Sequence, residues 1–574
     1  MSYNNRFWKA NWDPGIEDLE PEEYNTTYPE MLRDIFDKYP NNMALAFQGL
    51  EISFEELDRH SNQFANMLVE NGFKKGDIVG VNLPNTPEYV YSVLGTLKTG
   101  CIVSGVSPLL SDVQMHYQLE DLGKGSKKVG LVTLDVIFEH RLKKIIDKLP
   151  ELRLIVATSV IGSFPKEQQE RIKAISDIPF GVVTPLKGKI VLNYQDNVLR
   201  NYPADLPKVS LTPDDIGWIQ YTGGTTGSPK GAMLSHRNCV SNIKGIIKWL
   251  QWEEGNGILL SGFPMFHIAG LSVCEGAMAN GWGQILIANP REALQICNEI
   301  KKYKPTVLVN VPSLYHILIN FRKFKRLNHS NLKYCVSAAA PFPKESQELL
   351  ESIVGKGKLL ELYGMTELSP VATMNPSLGE KKLGTVGLPF LNVELKIVDP
   401  DTNKIVPLGE PGEICVKSPS VMRGYYNKPE ETAKTIDKDG YMHTGDVGIM
   451  DDDGYIQIVD RIKDMINVSG FKVYSAKVED SLARHPAIDL VALIGIPNPE
   501  KPGSELVKAF IQINPDFQFD GNIEILKEDI IKFSKDNLAP YEVPKVIEFL
   551  EELPLTIVGK IEKKILRNQL VELM

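Results

Sequence analysis

The run Tyr221-Thr222-Gly223-Gly224-Thr225-Thr226-Gly227-Ser228-Pro229-Lys230-Gly231 crowds glycines, hydroxyls and one lysine into a single turn. That mixture suits a phosphate. Glycines let backbone N–H groups converge on an anion with no Cβ in the way, and the threonine hydroxyls and Lys230 add donors and positive charge around its oxygens. The order differs from the P-loop of kinases and GTPases, Gly-x-x-x-x-Gly-Lys-Ser/Thr. Pro229 precedes the lysine and Gly231 follows it, so no hydroxyl for magnesium stands beside the lysine.

Further runs carry nucleotide chemistry. Leu362-Tyr363-Gly364-Met365-Thr366-Glu367 offers an aromatic face for a purine, a glycine for close approach, a hydroxyl and a carboxylate for a magnesium ion bridging phosphates. Ser337-Ala338-Ala339-Ala340-Pro341 is the flat, small-residue wall a base needs. In Tyr441-Met442-His443-Thr444-Gly445-Asp446 a carboxylate follows a glycine and could accept both hydroxyls of a ribose. Asp460-Arg461-Ile462-Lys463-Asp464 and the pair Gly559-Lys560 add cations. Taken singly, each of these reads equally well as a core turn or a solvated face.

The elements that must position these residues alternate between strand and helix. Ile216 to Tyr221 reads as a buried strand before the glycine turn. Ser235 caps a helix after it, with Val240, Ile243, Ile247 and Leu250 at helical spacing. Ser53 and Glu56 form a capping box ahead of Leu57, Phe64 and Leu68. Thr306 to Asn310 is a strand running into Pro312 at the first turn of a helix, Leu359 to Leu362 is another strand, and 181–207 reads as a surface connection. The expected fold is α/β: a large multi-layer domain over 1–460, a hinge at 461–464, and a small α+β domain over 465–574.

Composition excludes several classes. A chain of 574 residues needs more than one core. With 73 acidic against 63 basic residues it lacks the electrostatic footprint of a nucleic-acid binder. Its six cysteines show no Cys-x-x-Cys spacing, which speaks against a zinc site or disulfide framework and fits a cytoplasmic protein. No apolar stretch is long enough to span a bilayer. Phe321-Arg322-Lys323-Phe324-Lys325-Arg326-Leu327 interleaves aromatics with cations, which suits peripheral contact with an anionic membrane or, more simply, a solvated helix end.

Taken together and in order, these motifs resemble the adenylate-forming enzymes: acyl-CoA synthetases, luciferases and peptide-synthetase adenylation domains. The likeness runs from about Tyr28 to the C-terminus. Asp460 to Phe471, Tyr541-Glu542-Val543-Pro544-Lys545 and Phe263-Pro264-Met265-Phe266-His267 look most like long-chain fatty acid–CoA ligases. The resemblance implies that ATP activates a carboxylic acid as an acyl-adenylate, which coenzyme A then intercepts. It places Thr222, Gly223, Gly224, Thr225, Thr226, Gly227 and Lys230 around the phosphates, Thr222 and Glu367 at Mg2+, and Ala339, Tyr363, Gly364, Met365 and Thr366 around the adenine. Asp446 and Arg461 would hold the ribose, and Lys560 would be the catalytic lysine of adenylation. His267 would line the acid pocket, Lys463 would be the pivot, and Gly470 and Phe471 would meet CoA. Two positions depart from the family pattern: Ser475 stands where proline is common, and Ala338-Ala339 where a glycine is. A medium- to long-chain fatty acid is the first substrate expectation. Aryl or branched acids, a stand-alone adenylation enzyme that loads a carrier protein, and a non-catalytic nucleotide sensor are the alternatives. A monomer or a homodimer fits equally.

Overall fold

The computed structural model describes every residue except 1–2, 126, 176, 223–227, 341, 470, 520, 556–560 and 573–574. Among the described residues two large mixed sheets dominate. In the nine-stranded sheet a parallel run leads from Leu359–Gly364 through Tyr334–Ser337, Val307–Asn310, Ile258–Ser261 and Gly283–Leu286 to Met43–Phe47, with antiparallel strands at both edges. The eight-stranded sheet is parallel from Ile190–Asn193 through Leu152–Thr158, Val129–Leu134, Ile78–Asn82 and Ile102–Gly105 to Ile216–Thr222. Strands buried on both faces need unbroken apolar runs, and Ile78–Asn82 and Val307–Asn310 are buried at every position.

Two helices lie deep in the core these sheets share. Pro87–Lys98 is buried along its whole length, and Ile268–Ala279 is apolar on nearly every side, as helices enclosed by other elements must be. The outer helices are amphipathic and start at capping boxes: Thr27 with Glu30, Ser53 with Glu56, and Ser235 with Asn238.

Two expectations are corrected here, and a third is refined. The glycine turn does not lead from strand straight to helix. The chain first returns as the antiparallel strand Lys230–Ser235, with Thr222 opposite Lys230, and the helix His236–Trp249 follows. That strand has only six residues, one of them glycine, too few to show a period of two. Nor is 181–207 merely a surface connection. Ile190–Asn193 closes the edge of the eight-stranded sheet, and Tyr194 and Val198 are fully buried beside it. Finally, Phe324 is buried and Phe321 packs on the same core, so the cluster at 321–327 presents its cations outward and its aromatics inward.

A four-stranded antiparallel sheet, Glu394–Val398, Gly412–Lys417, Met442–Met450 and Ile456–Arg461, leads out of this body. Beyond it stands a smaller unit with its own core. Ile488–Pro497 pairs antiparallel with Glu505–Ile513, Val546–Leu550 adds in parallel, and Ser475–Leu482, Ile523–Asn537 and Lys563–Glu572 are its helices. Asp460, at the end of the last strand of the larger body, accepts hydrogen bonds from the backbone N–H and the hydroxyl of Ser475. Arg567 reaches back to Asp464 at 2.6 Å.

Candidate active site

The expected phosphate end is built where the strand Ile216–Thr222 stops. Lys230, across the hairpin, places its ammonium 2.9 Å from Glu431 and 4.7 Å from the centre of the Tyr425 ring. The Tyr425 hydroxyl donates to Glu367 Oε1 at 2.7 Å. The short helical turn Thr366–Leu368, which carries Glu367, packs against both hairpin strands. Thr222 and Lys230 therefore share one neighbourhood with Glu367, which is distant in the chain. Burial raises the pKa of the Glu367 carboxyl, and the Tyr425 hydrogen bond and the Lys230 charge only partly offset it. A desolvated carboxylate is stabilised by a cation, and the Thr222 hydroxyl with Glu367 makes a hard oxygen donor set that suits Mg2+. Gly223, Gly224, Thr225, Thr226 and Gly227 lie outside the described residues.

The expected nucleoside end gathers three strands. Asp446 and Arg461 face each other across an antiparallel pair, with Arg461 Nε 3.0 Å from Asp446 Oδ1. Tyr363, at the end of a parallel strand of the large sheet, donates its hydroxyl to Asp446 Oδ2 at 2.7 Å. Burial holds the Tyr363 pKa well above a free phenol, so the group remains a neutral donor. Burial alone would lower the Arg461 pKa, but Asp446 together with Tyr363, Asp464 and Glu367 outweighs it and the net shift is upward. Each carboxylate oxygen of Asp446 keeps a lone pair for a further donor such as a ribose hydroxyl.

Gly364 is needed for a reason the sequence hides. A Cβ there would lie 2.0 Å from the Pro370 carbonyl oxygen, so the close approach is by backbone, and Met365 N–H donates to that same oxygen at 3.0 Å. Ala339, in the loop after Tyr334–Ser337, has φ +71°, the left-handed region that glycine occupies without strain.

Beside these groups is an apolar pocket of about 30 Å³. Its walls include Trp252, Val273, Val309, Val336, Ala338 and Leu362. His267 is not among the wall residues. Its Nδ1 accepts the Ala269 N–H and caps the helix Ile268–Ala279, while its neighbours Phe263 and Ala269 do line the pocket.

Of the expected mobile-domain residues, Gly470 and Lys560 lie outside the described residues. Phe471 is exposed and stacks on Tyr541 at 4.8 Å. Lys463 Nζ is buried and has no hydrogen-bond partner among the described residues. Burial, reinforced by the Arg461 charge, lowers its pKa to about 8. Sequence reading missed Tyr425 and Glu431, which hold Lys230 and Glu367 in place; their only local signal is the pair Tyr425-Tyr426 in an otherwise polar stretch. It also missed the pocket walls, which come from six separate helices and strands and the loops between them.

Comparison with known proteins gives the same picture. Residues 32–426 match the family profile described as AMP-binding enzyme, and residues 477–560 match the AMP-binding enzyme C-terminal domain. A long-chain-fatty-acid–CoA ligase of Escherichia coli O6:H1 is 33% identical over 567 residues, covering 96% of each chain. The anthranilate CoA ligase AuaEII, solved in complex with anthranoyl-AMP, superimposes with a TM-score of 0.82 at 26% identity, covering 97% of this chain and all of that one. ATP-bound MatB from Rhodopseudomonas palustris superimposes at 0.81 with 25% identity, covering 95% and 99%. With a hydroxyl, lysine and carboxylate at one end, a tyrosine–carboxylate–arginine cluster at the other, and relatives matched over almost their whole length, this chain belongs to the AMP-binding enzymes, as an AMP-forming acid–thiol ligase of the acyl-CoA synthetase kind.

Proposed function

We propose that the enzyme is an ATP-dependent fatty acid–CoA ligase acting on medium- to long-chain acids, which it converts with ATP and CoA to acyl-CoA, AMP and pyrophosphate. The observation that carries this reading is the end of one strand. Leu362 lines a pocket without a polar wall atom, while its neighbour Tyr363 hydrogen-bonds Asp446 in the nucleoside cluster. Successive strand residues point to opposite faces, so acid tail and nucleotide are divided by a single backbone step. The pocket's free volume of about 30 Å³ holds little more than one water, so an alkyl tail enters by displacing side chains. Trp252, stacked on Trp282 at 4.4 Å, is the largest of them.

A carboxylate resists attack by a thiol because it is anionic and has no good leaving group. Attack of the acid on the α-phosphate of ATP, with loss of pyrophosphate, supplies both corrections. The enzyme contributes position and charge rather than a nucleophile. Asp446 and Arg461 fix the ribose, Tyr363 and the 338–340 loop flank the base, and Lys230 with the glycine turn holds the phosphates. Thr222 and Glu367 would hold Mg2+, which would supply positive charge to the phosphate oxygens. Lys560 neutralises the developing charge between carboxylate and α-phosphate. In the second half-reaction the small domain pivots at Lys463 and presents Gly470 and Phe471 to CoA.

The test is acid-dependent ATP–pyrophosphate exchange across alkyl acids of increasing length and a set of aryl acids, each with and without CoA. Exchange and thioester formation should both peak with medium to long alkyl acids. A peak with aryl acids would move the substrate to that class, and exchange without thioester formation would move the second half-reaction to a carrier protein. Trp252→Ala should shift the optimum toward longer acids, and an unchanged length profile would remove this pocket from the acid site.

A further inference from the structure

We propose that Glu413, Cys415 and His443 form a binding site for a thiophilic divalent cation of the zinc or cobalt(II) class, distinct from the oxygen donors Thr222 and Glu367. On the strand Gly412–Lys417 the alternate residues Ile414 and Val416 enter the core, which turns Glu413 and Cys415 to the opposite face. There the antiparallel register sets His443 directly across from Cys415. A glutamate oxygen, the thiol sulfur and a ring nitrogen lie within 4.8 Å of one another, the only such mixed group among the described residues. His443 Nδ1 is 2.8 Å from Glu413 Oε2 and 3.5 Å from Cys415 Sγ.

A tetrahedral ion with bonds of about 2.0–2.3 Å spaces its ligand atoms roughly 3.5 Å apart, so these donors close on one with a small outward shift of Glu413. The surroundings also supply what a bound imidazole needs. Asp437 Oδ2 is 3.8 Å from His443 Nε2, on the ring nitrogen that faces away from the other donors. When Nδ1 binds an ion, the ring proton resides on Nε2, and that carboxylate can accept it. Glu413 Oε1 takes the Gly445 N–H at 3.0 Å, which aims its other oxygen at the site.

The nearby cations are engaged elsewhere. Lys396, across from Cys415 on the third strand, has its ammonium 3.8 Å from Asp437 and 3.9 Å from the Tyr441 ring centre, and Lys417 also lies over that ring. Binding changes no oxidation state: the Cys415 thiol gives its proton to solvent, the imidazole proton transfers from Nδ1 to Nε2, and thiolate plus carboxylate neutralise the dication. Water completes the fourth position, on the partly exposed His443 side.

Cobalt(II) is the probe, added to the untagged, nucleotide-free full chain. The expected result is a near-ultraviolet thiolate-to-cobalt charge-transfer band that saturates at one ion per chain and is displaced by zinc. Cys415→Ser should abolish the band, His443→Gln should weaken binding at least tenfold, and Asp437→Asn should weaken it about tenfold. Unchanged circular dichroism and thermal midpoint in each variant separate ligand loss from misfolding. Absence of the band, or its survival in Cys415→Ser, would overturn the site. The readout requires neither acid nor ATP, so it stands or fails independently of the fatty acid reading.

Discussion

At the nucleotide end of the large domain the charged side chains are matched: Lys230 with Glu431, Glu367 with Tyr425, and Asp446 with both Arg461 and Tyr363. Two residues past Arg461 the matching stops. Lys463 has a buried ammonium without a hydrogen-bond partner among the described residues, while its sequence neighbour Asp464 pairs with Arg567. On the proposed function the two regions have different tasks. A floor that must meet the same nucleotide in every turnover gains from donors fixed before substrate arrives. A linker that must swing gains from having no strong preference for one arrangement, and an unsatisfied buried ammonium raises the energy of this one relative to its alternatives.

The largest expected effect breaks the floor. Asp446→Asn keeps the shape but leaves Arg461 without its counter-charge and weakens bonds to a charged acceptor, each contributing about 1.5–3 kcal/mol. ATP affinity, measured by calorimetry, should fall about 100-fold; a change under twofold would separate this carboxylate from the nucleotide. Next is Glu367→Gln. Its amide oxygen can still accept from Tyr425, so the unfolding midpoint should hardly move, and burial was already acting against the charge. Acid-dependent pyrophosphate exchange should nonetheless drop about 100-fold, because the proposed Mg2+ site would lose its anionic donor. Equal losses of stability and activity would make Glu367 a structural residue.

Lys463→Met probes the linker. The native pKa of about 8 lies below the 10.5 of an exposed lysine, so between those values the unfolded chain holds a proton that the folded chain has released. Stability therefore climbs with pH across that window, and the cost of the buried charge is complete below about pH 8. Methionine removes that cost. The thermal midpoint should rise at neutral pH, and the advantage should shrink as pH climbs from 8 toward 10.5. If the added stability holds the linker in its present arrangement, thioester formation slows more than adenylation; equal slowing of both would count against a pivot at this position.

The same contrast governs what the sequence revealed. The floor was legible because its residues sit in short runs whose composition states their chemistry: a glycine–threonine turn, a tyrosine and glutamate four residues apart, a carboxylate after a glycine. That Asp446 and Arg461 touch follows from strand register, which requires pairing partners that no single segment contains. Tyr425 and Glu431 were invisible because their role exists only once Lys230 and Glu367 have been brought together from distant segments. The apolar pocket was hidden for a plainer reason. Val309, Val336 and Leu362 are the residues any buried parallel strand would carry, and nothing in their types distinguishes a cavity wall from packed core. His267 carries a role that its sequence context did not announce, since its Nδ1 accepts the Ala269 N–H at the start of a helix.

The smallest effect lies in the backbone of the floor. Charges there are satisfied, yet Ala339 is held at φ +71°, which costs an alanine about 1–2 kcal/mol relative to the right-handed region. Ala339→Gly removes that strain but adds freedom to the unfolded chain, worth roughly 0.5–1 kcal/mol in the opposite direction. The net gain in a denaturant titration should be under about 1 kcal/mol. Nucleotide affinity is the sharper readout: if the strained turn shapes the wall against the base, the relaxed glycine variant binds ATP more weakly although it is no less stable. If affinity and stability rise together, the strain is incidental, and the floor owes its fixity to Asp446, Arg461 and Tyr363 alone.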